Sequence, residues 1–109
     1  MRMKDSGHFP SDPEPRIVYW FVHPSTIPPT PLGFVRAKGR RALLIRGLTG
    51  SHMTGHADTW RDKFRLLISD GYIPIEVAQA QGLVSASWKP PQLDDTDEAI
   101  VGRIQCGEI

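Results

Sequence analysis

The run RIVYWFVH at residues 16–23 constrains the fold of this chain more than any other stretch. Its length and its β-branched and aromatic content favour a strand over a helix. Its lack of polar alternation predicts that both faces of that strand are covered. Prolines bracket the run. Pro10, Pro13 and Pro15 precede it, and PSTIPPTP at 24–31 follows with four more, where missing backbone donors exclude helix and central strand. Residues 1–15 therefore read as a flexible leader, 24–31 as a stiff connector, and 16–109 as a single small domain.

LGFVRAKGRRALLIRG at 32–47 reads as two further strands turning around Lys38 and Gly39, where glycine supplies the positive φ that a tight hairpin requires. GLTGSHMTGHA at 47–57 reads as loop. The helix signal is clearest in DTWRDKFRLLISDG: Trp60, Phe64, Leu67 and Ile68 make one apolar stripe, with Arg61, Asp62 and Arg65 facing away from it. Asp58 or Thr59 can cap this helix, and Gly71 can end it. The expected core comprises Trp20, Phe34, Leu43, Ile45, Trp60, Phe64, Leu67, Ile75 and Val77.

A chain of 109 residues with 39% apolar and 23% charged residues supports one modest core, and ten prolines with ten glycines predict many loops. The single Cys106 cannot form an internal disulfide, which fits a reducing, cytoplasmic setting. No apolar run approaches the roughly 20 residues that span a bilayer, and the N-terminus lacks the apolar centre of a signal peptide.

The net charge of +1 conceals segregation: residues 16–57 hold Arg16, Arg36, Lys38, Arg40, Arg41 and Arg46 with no acidic residue. Asp5, Asp12, Glu14 and the DDTDE run at 94–98 balance them. Such a patch attracts polyanions, unless the acidic run folds back over it. Around the hairpin, Arg36, Lys38, Arg40 and Arg41 lie close to Tyr19, Trp20, Phe21 and Phe34, and nucleic-acid binders combine the same two ingredients.

The stretch YIPIEVAQAQGLVSASWKPP at 72–91 admits two readings. Ile73, Ile75 and Val77 alternate with Tyr72, Pro74 and Glu76, the period of a half-buried strand over 72–78 with Pro74 tolerated at a sheet edge. VAQAQGL at 77–83 instead resembles the second helix and turn of helix-turn-helix repressors and transposases. That resemblance implies close helix contact at Ala78, a turn at Gly82, an apolar contact at Leu83, and a recognition helix from Val84 or Ser85. Pro90 and Pro91 would stop such a helix after little more than one turn. GFVRAKGRRALLIR with the helix after it also resembles small toxins built like double-stranded-RNA-binding domains. In those the hairpin carries a histidine after Gly-Ser; here Gly39 is followed by Arg40, so their ribonuclease activity does not transfer.

No sequence pattern marks an enzyme. His52 and His56 would share a helix face as metal ligands with Asp58 or Cys106, but Gly55 and the loop context oppose a helix there. Phosphate-loop and dinucleotide fingerprints are missing, and neither Ser51 nor Cys106 is marked as a nucleophile. No cofactor and no metal are expected. The expected architecture is α+β: a three-stranded antiparallel sheet over 16–46, a main helix at 58–70 packed on it, a strand at 72–78, and an irregular C-terminal segment, in which a short helix from about Thr96 to Gln105, capped by Asp95 or Thr96, competes with a final strand because Gly102 weakens the helix. The expected function is non-enzymatic nucleic-acid binding by a regulatory or accessory protein through Arg36, Lys38, Arg40, Arg41 and Arg46. The alternative is a protein-binding module or inhibitor of the mobile-element type, acting through a sheet edge or aromatic surface, with a protein partner or self-association.

Overall fold

The computed structural model describes residues 12–26, 29–46, 51–53 and 59–109, with 51–53 described by backbone alone. Over these residues the chain runs β1 (Val18–Val22), β2 (Pro31–Arg36), β3 (Ala42–Ile45), β4 (Ser51–Met53), α1 (Trp60–Ser69), β5 (Ile73–Pro74), α2 (Ile75–Ala80) and α3 (Asp95–Gln105). The strands make one antiparallel sheet in the order β4-β3-β2-β1-β5, a four-strand meander with two-residue β5 added beside β1. The α+β class expected from the sequence holds. The loop expected over 47–57 is interrupted by β4, a strand too short to leave a periodic signal.

The unbroken apolar run of β1 is accommodated by burial on both sides. Tyr19 and Phe21 face α1, whereas Val18, Trp20 and Val22 face the opposite layer. Leu32, Phe34, Ala42 and Leu44 of β2 and β3 join the first face, where Trp60, Phe64 and Leu67 of α1 cover them. Phe64 meets Phe34 at 5.6 Å and Phe21 edge-on at 6.1 Å. Val35, Leu43 and Ile45 form the second face and receive Val101 and Ile104 of α3. Of the expected core, Trp20 and Val77 are only half-buried and the other seven residues are buried. Trp20 stands edge-on to Trp88 at 6.1 Å, and its ring passes so close to Gly33 that a Cβ there would lie 3.1 Å from it.

Local chemistry sets the helix ends. Thr59 accepts from the Asp62 N–H at 3.2 Å and caps α1, and Gly71 follows at φ 100°. Asp94, one residue before the expected cap, accepts from the Asp97 N–H at 2.7 Å and starts α3. With α3 across the sheet from α1, the C-terminal segment supplies a second helical layer.

The stretch at 72–91 follows neither reading fully. Only Ile73–Pro74 pairs as strand; the helix begins at Ile75, because burying Ile75 and Ala78 three residues apart satisfies a helical face better than alternation continued to Val77. Gly82 turns at φ 77° as the helix-turn-helix resemblance implies. No recognition helix follows. Residues 83–94 are irregular, Leu83 is 39% exposed, and Gln79 Nε2 donates to the Ser85 carbonyl at 3.1 Å. Pro90 and Pro91 provide the physical reason. At the other end of the chain, residues 12–15 of the expected leader dock: Pro13 is fully buried and the Glu14 N–H donates to the Tyr19 hydroxyl at 3.0 Å.

Candidate nucleic-acid interface

The β2–β3 turn is closed by the Ala37 N–H donating to the Arg41 carbonyl at 2.9 Å, with Gly39 at φ 70° making the reversal. Nothing lies within 4 Å of a Cβ placed on Gly39, so the requirement for glycine there is conformational. Lys38, Arg40 and Arg41 project from this turn and are exposed. One further bond fixes it against the helix layer: the Trp60 N–H at the start of α1 donates to the Arg40 carbonyl at 2.7 Å.

That contact brings in a residue the sequence assigned to an outward helix face. Arg61 places its guanidinium carbon 5.0 Å from the centre of the Trp60 ring, and Arg36 places its own at 3.9 Å. The two distances confine the guanidiniums to at most about 9 Å from each other, where two unit charges repel by about 2 kcal/mol or more at an effective dielectric near 20, before salt screening reduces it. Arg36, Arg40, Thr59, Trp60, Arg61 and Asp62 line a cleft of about 490 Å³ at this end of the sheet. No signal in the sequence could have joined Arg61 to the hairpin, because the link is a main-chain hydrogen bond between segments twenty residues apart.

The structure divides the five cations expected to act together. Lys38, Arg40 and Arg41 share the turn. Arg36 is half-buried against Trp60 and donates from Nη1 to the Pro13 carbonyl at 3.1 Å, while its buried Nε has no partner among the described residues. It is a clamp between β2, α1 and the docked leader before it is anything else. Arg46 lies past the far end of β3, a separation of about 13 Å for four strand residues. It lines a different cleft, of about 160 Å³, with His23, Thr26, Thr30, Pro31, Leu32 and Tyr72.

In that second cleft, the close approach of His23 Nε2 to the Asp70 carbonyl, 2.7 Å, requires the proton on Nε2. Nδ1 is then the acceptor for the Ser25 hydroxyl at 2.6 Å and the Ser25 N–H at 3.2 Å. The Nε2 bond ties the end of β1 to the end of α1, and the two Ser25 bonds fix the ring locally.

Among the described residues, base stacking has no platform beside the turn. Phe21 and Phe34 are core, Tyr19 packs against the α1 cluster, Trp20 lies on the opposite face, and Trp60 is 7% exposed. The acidic run does not cover the cations either: α3 lies on the other face, and Lys38, Arg40, Arg41 and Arg61 have no ion pair with a carboxylate among the described residues. As for metal, His56 and Asp58 lie outside the described residues and His52 falls on a strand. No cluster of three His, Cys, Asp or Glu occurs among the described residues, and no helix among them is long and apolar enough to cross a membrane. Compared with known proteins, the chain matches no family model, no curated protein and no solved structure.

Proposed function

We propose that this is a non-enzymatic, regulatory or accessory protein that binds nucleic acid by gripping backbone phosphates with Lys38, Arg40, Arg41 and Arg61. One observation carries the reading: the bond from Trp60 to Arg40 gathers these cations at one end of the sheet with no carboxylate paired to them among the described residues. Phosphate contacts of this kind position a protein without reading bases, so this reading carries weak sequence preference. Fluorescence anisotropy with single- and double-stranded oligonucleotides at several salt concentrations tests it. Three or four phosphate contacts predict a slope of log K against log salt of about −3 for duplex. The double variant R40E/R41E should lose binding; binding that is flat in salt or unchanged in this variant would sink the reading.

A second reading has its own observation. β5 pairs only with Phe21 and Val22, so Val18–Trp20 on β1 has no strand beside it there among the described residues. An apolar groove of about 400 Å³ runs along that edge, and Ile17 at its rim is 44% exposed. An added strand from a protein partner, or from a second copy, would satisfy this edge. Light scattering that shows a concentration-dependent mass, abolished by I17K, supports it; a constant monomer mass removes self-association.

A further inference from the structure

We propose that the cleft between Arg36, Arg40 and Arg61 is a site for a phosphate monoester, the terminal phosphate of a nucleic-acid strand. The inference rests on the nucleic-acid reading and adds a preference for phosphorylated strand ends. Charge comes first. Among the described residues, three guanidinium groups line the cleft against one carboxylate, that of Asp62, a surplus of two positive charges. A phosphodiester carries one negative charge, whereas a monoester carries close to two at neutral pH and offers three oxygens, so the monoester neutralises this surplus and the diester does not. It also lies between cations that repel one another.

Geometry makes the same selection. Arg36 is held over Trp60 with Nη1 on the Pro13 carbonyl and Nε buried, so its position at the cleft is fixed in advance, while the exposed Arg40 and Arg61 can present guanidinium forks to phosphate oxygens. Most main-chain amides of the first turn of α1 are already used: Trp60 N–H is bonded to the Arg40 carbonyl, Asp62 N–H to the Thr59 hydroxyl, and Lys63 N–H to the Thr59 carbonyl, which leaves the Arg61 N–H without a bond among the described residues. The site is built mainly from side chains. Lys38 and Arg41 lie outside the cleft on the same turn, placed for the diesters that follow a strand end.

The experiment compares oligonucleotides of one sequence carrying a 5′-phosphate, a 3′-phosphate or neither, by anisotropy at constant ionic strength. Inorganic phosphate is titrated separately and followed by tryptophan fluorescence. The wild type should bind at least one phosphorylated end about tenfold more tightly than the unmodified strand. R61Q should bring that ratio to one, and R41Q should weaken all three strands while keeping the ratio. R40Q, which leaves the Arg40 carbonyl in place for Trp60, serves in place of R61Q should R61Q not fold. Equal affinity for all three strands overturns the terminal-phosphate site and leaves phosphate gripping by the turn intact. No binding to any strand overturns the nucleic-acid reading itself. Inorganic phosphate then decides the cleft alone: saturation in wild type and none in R61Q upholds an anion site, and no saturation in wild type removes it.

Discussion

Replacing Arg36 with Met tests whether this residue is a clamp. Methionine keeps an unbranched stem of similar reach on β2 but removes the guanidinium. Lost are the stack on Trp60 at 3.9 Å, worth about 0.5–2 kcal/mol, and the charged donor to the Pro13 carbonyl, about 1.5–3 kcal/mol. Regained is about 1–3 kcal/mol, because the buried Nε without a partner among the described residues is removed as well. The balance is a loss of about 1–2 kcal/mol, or a melting temperature lower by about 5–15 °C for a domain of this size. Arg41→Met is the internal comparison: Arg41 is exposed on the same turn, so its replacement should change stability by less than about 0.5 kcal/mol. Urea denaturation followed by tryptophan fluorescence measures both. A second readout is local: freed from the Pro13 carbonyl, residues 12–16 should become quicker substrates for trypsin at Arg16. If Arg36→Met matches Arg41→Met in stability and proteolysis, the clamp does not exist and Arg36 returns to the set of exposed phosphate contacts.

Three further outcomes follow from the packing. Ile104→Ala empties a fully buried position under α3 and should cost about 2–4 kcal/mol by chemical denaturation; a cost below 1 would show that α3 does not form the second layer. Asp94→Ala should lose about 1 kcal/mol with its cap bond to Asp97, whereas Asp95→Ala should be near neutral, and the reverse order in thermal melts would place the cap at Asp95. Gly33→Ala puts a methyl 3.1 Å from the Trp20 ring and should destabilise by about 1–3 kcal/mol with a shift in tryptophan emission; an unchanged protein would mean that Trp20 moves aside at no cost.

Composition and periodicity carried most of the fold because the signals were local. Phe34, Leu43, Ile45, Trp60, Phe64 and Leu67 were readable as core from β-branched, aromatic and helical spacing, and Gly39 and Gly71 as positive-φ positions from their surroundings. The second helical layer was less legible. Gly102 sits within α3 and opens no turn there, while the residues that α3 covers, Val35, Leu43 and Ile45, lie about 50 residues or more earlier in the chain, with β4, α1, β5 and α2 between. Ile75 shows the limit of period counting: three apolar residues at alternate positions are too few to decide between strand and helix, and burial with Ala78 chose the helix.

Charge was legible as a quantity but not as a direction, and for the site the direction decides. Arg36 follows Leu32 and Phe34 at alternate positions, so its side chain must leave β2 on the face that α1 covers; a guanidinium there meets Trp60 before it meets solvent. That inference was available from the sequence once α1 was assigned to that face. The position of Arg46 was available too, since an antiparallel hairpin sends the residue after its second strand away from the turn. Arg61 was not available, because on its own helix it is merely an outward residue of the first turn. It becomes a neighbour of Arg40 only through a main-chain bond that no side-chain pattern encodes. The chemistry of the cleft therefore depends on where α1 begins. A shift of the cap from Thr59 by one residue would rotate Arg61 by about 100° around the helix and disperse the surplus charge on which binding is proposed to depend.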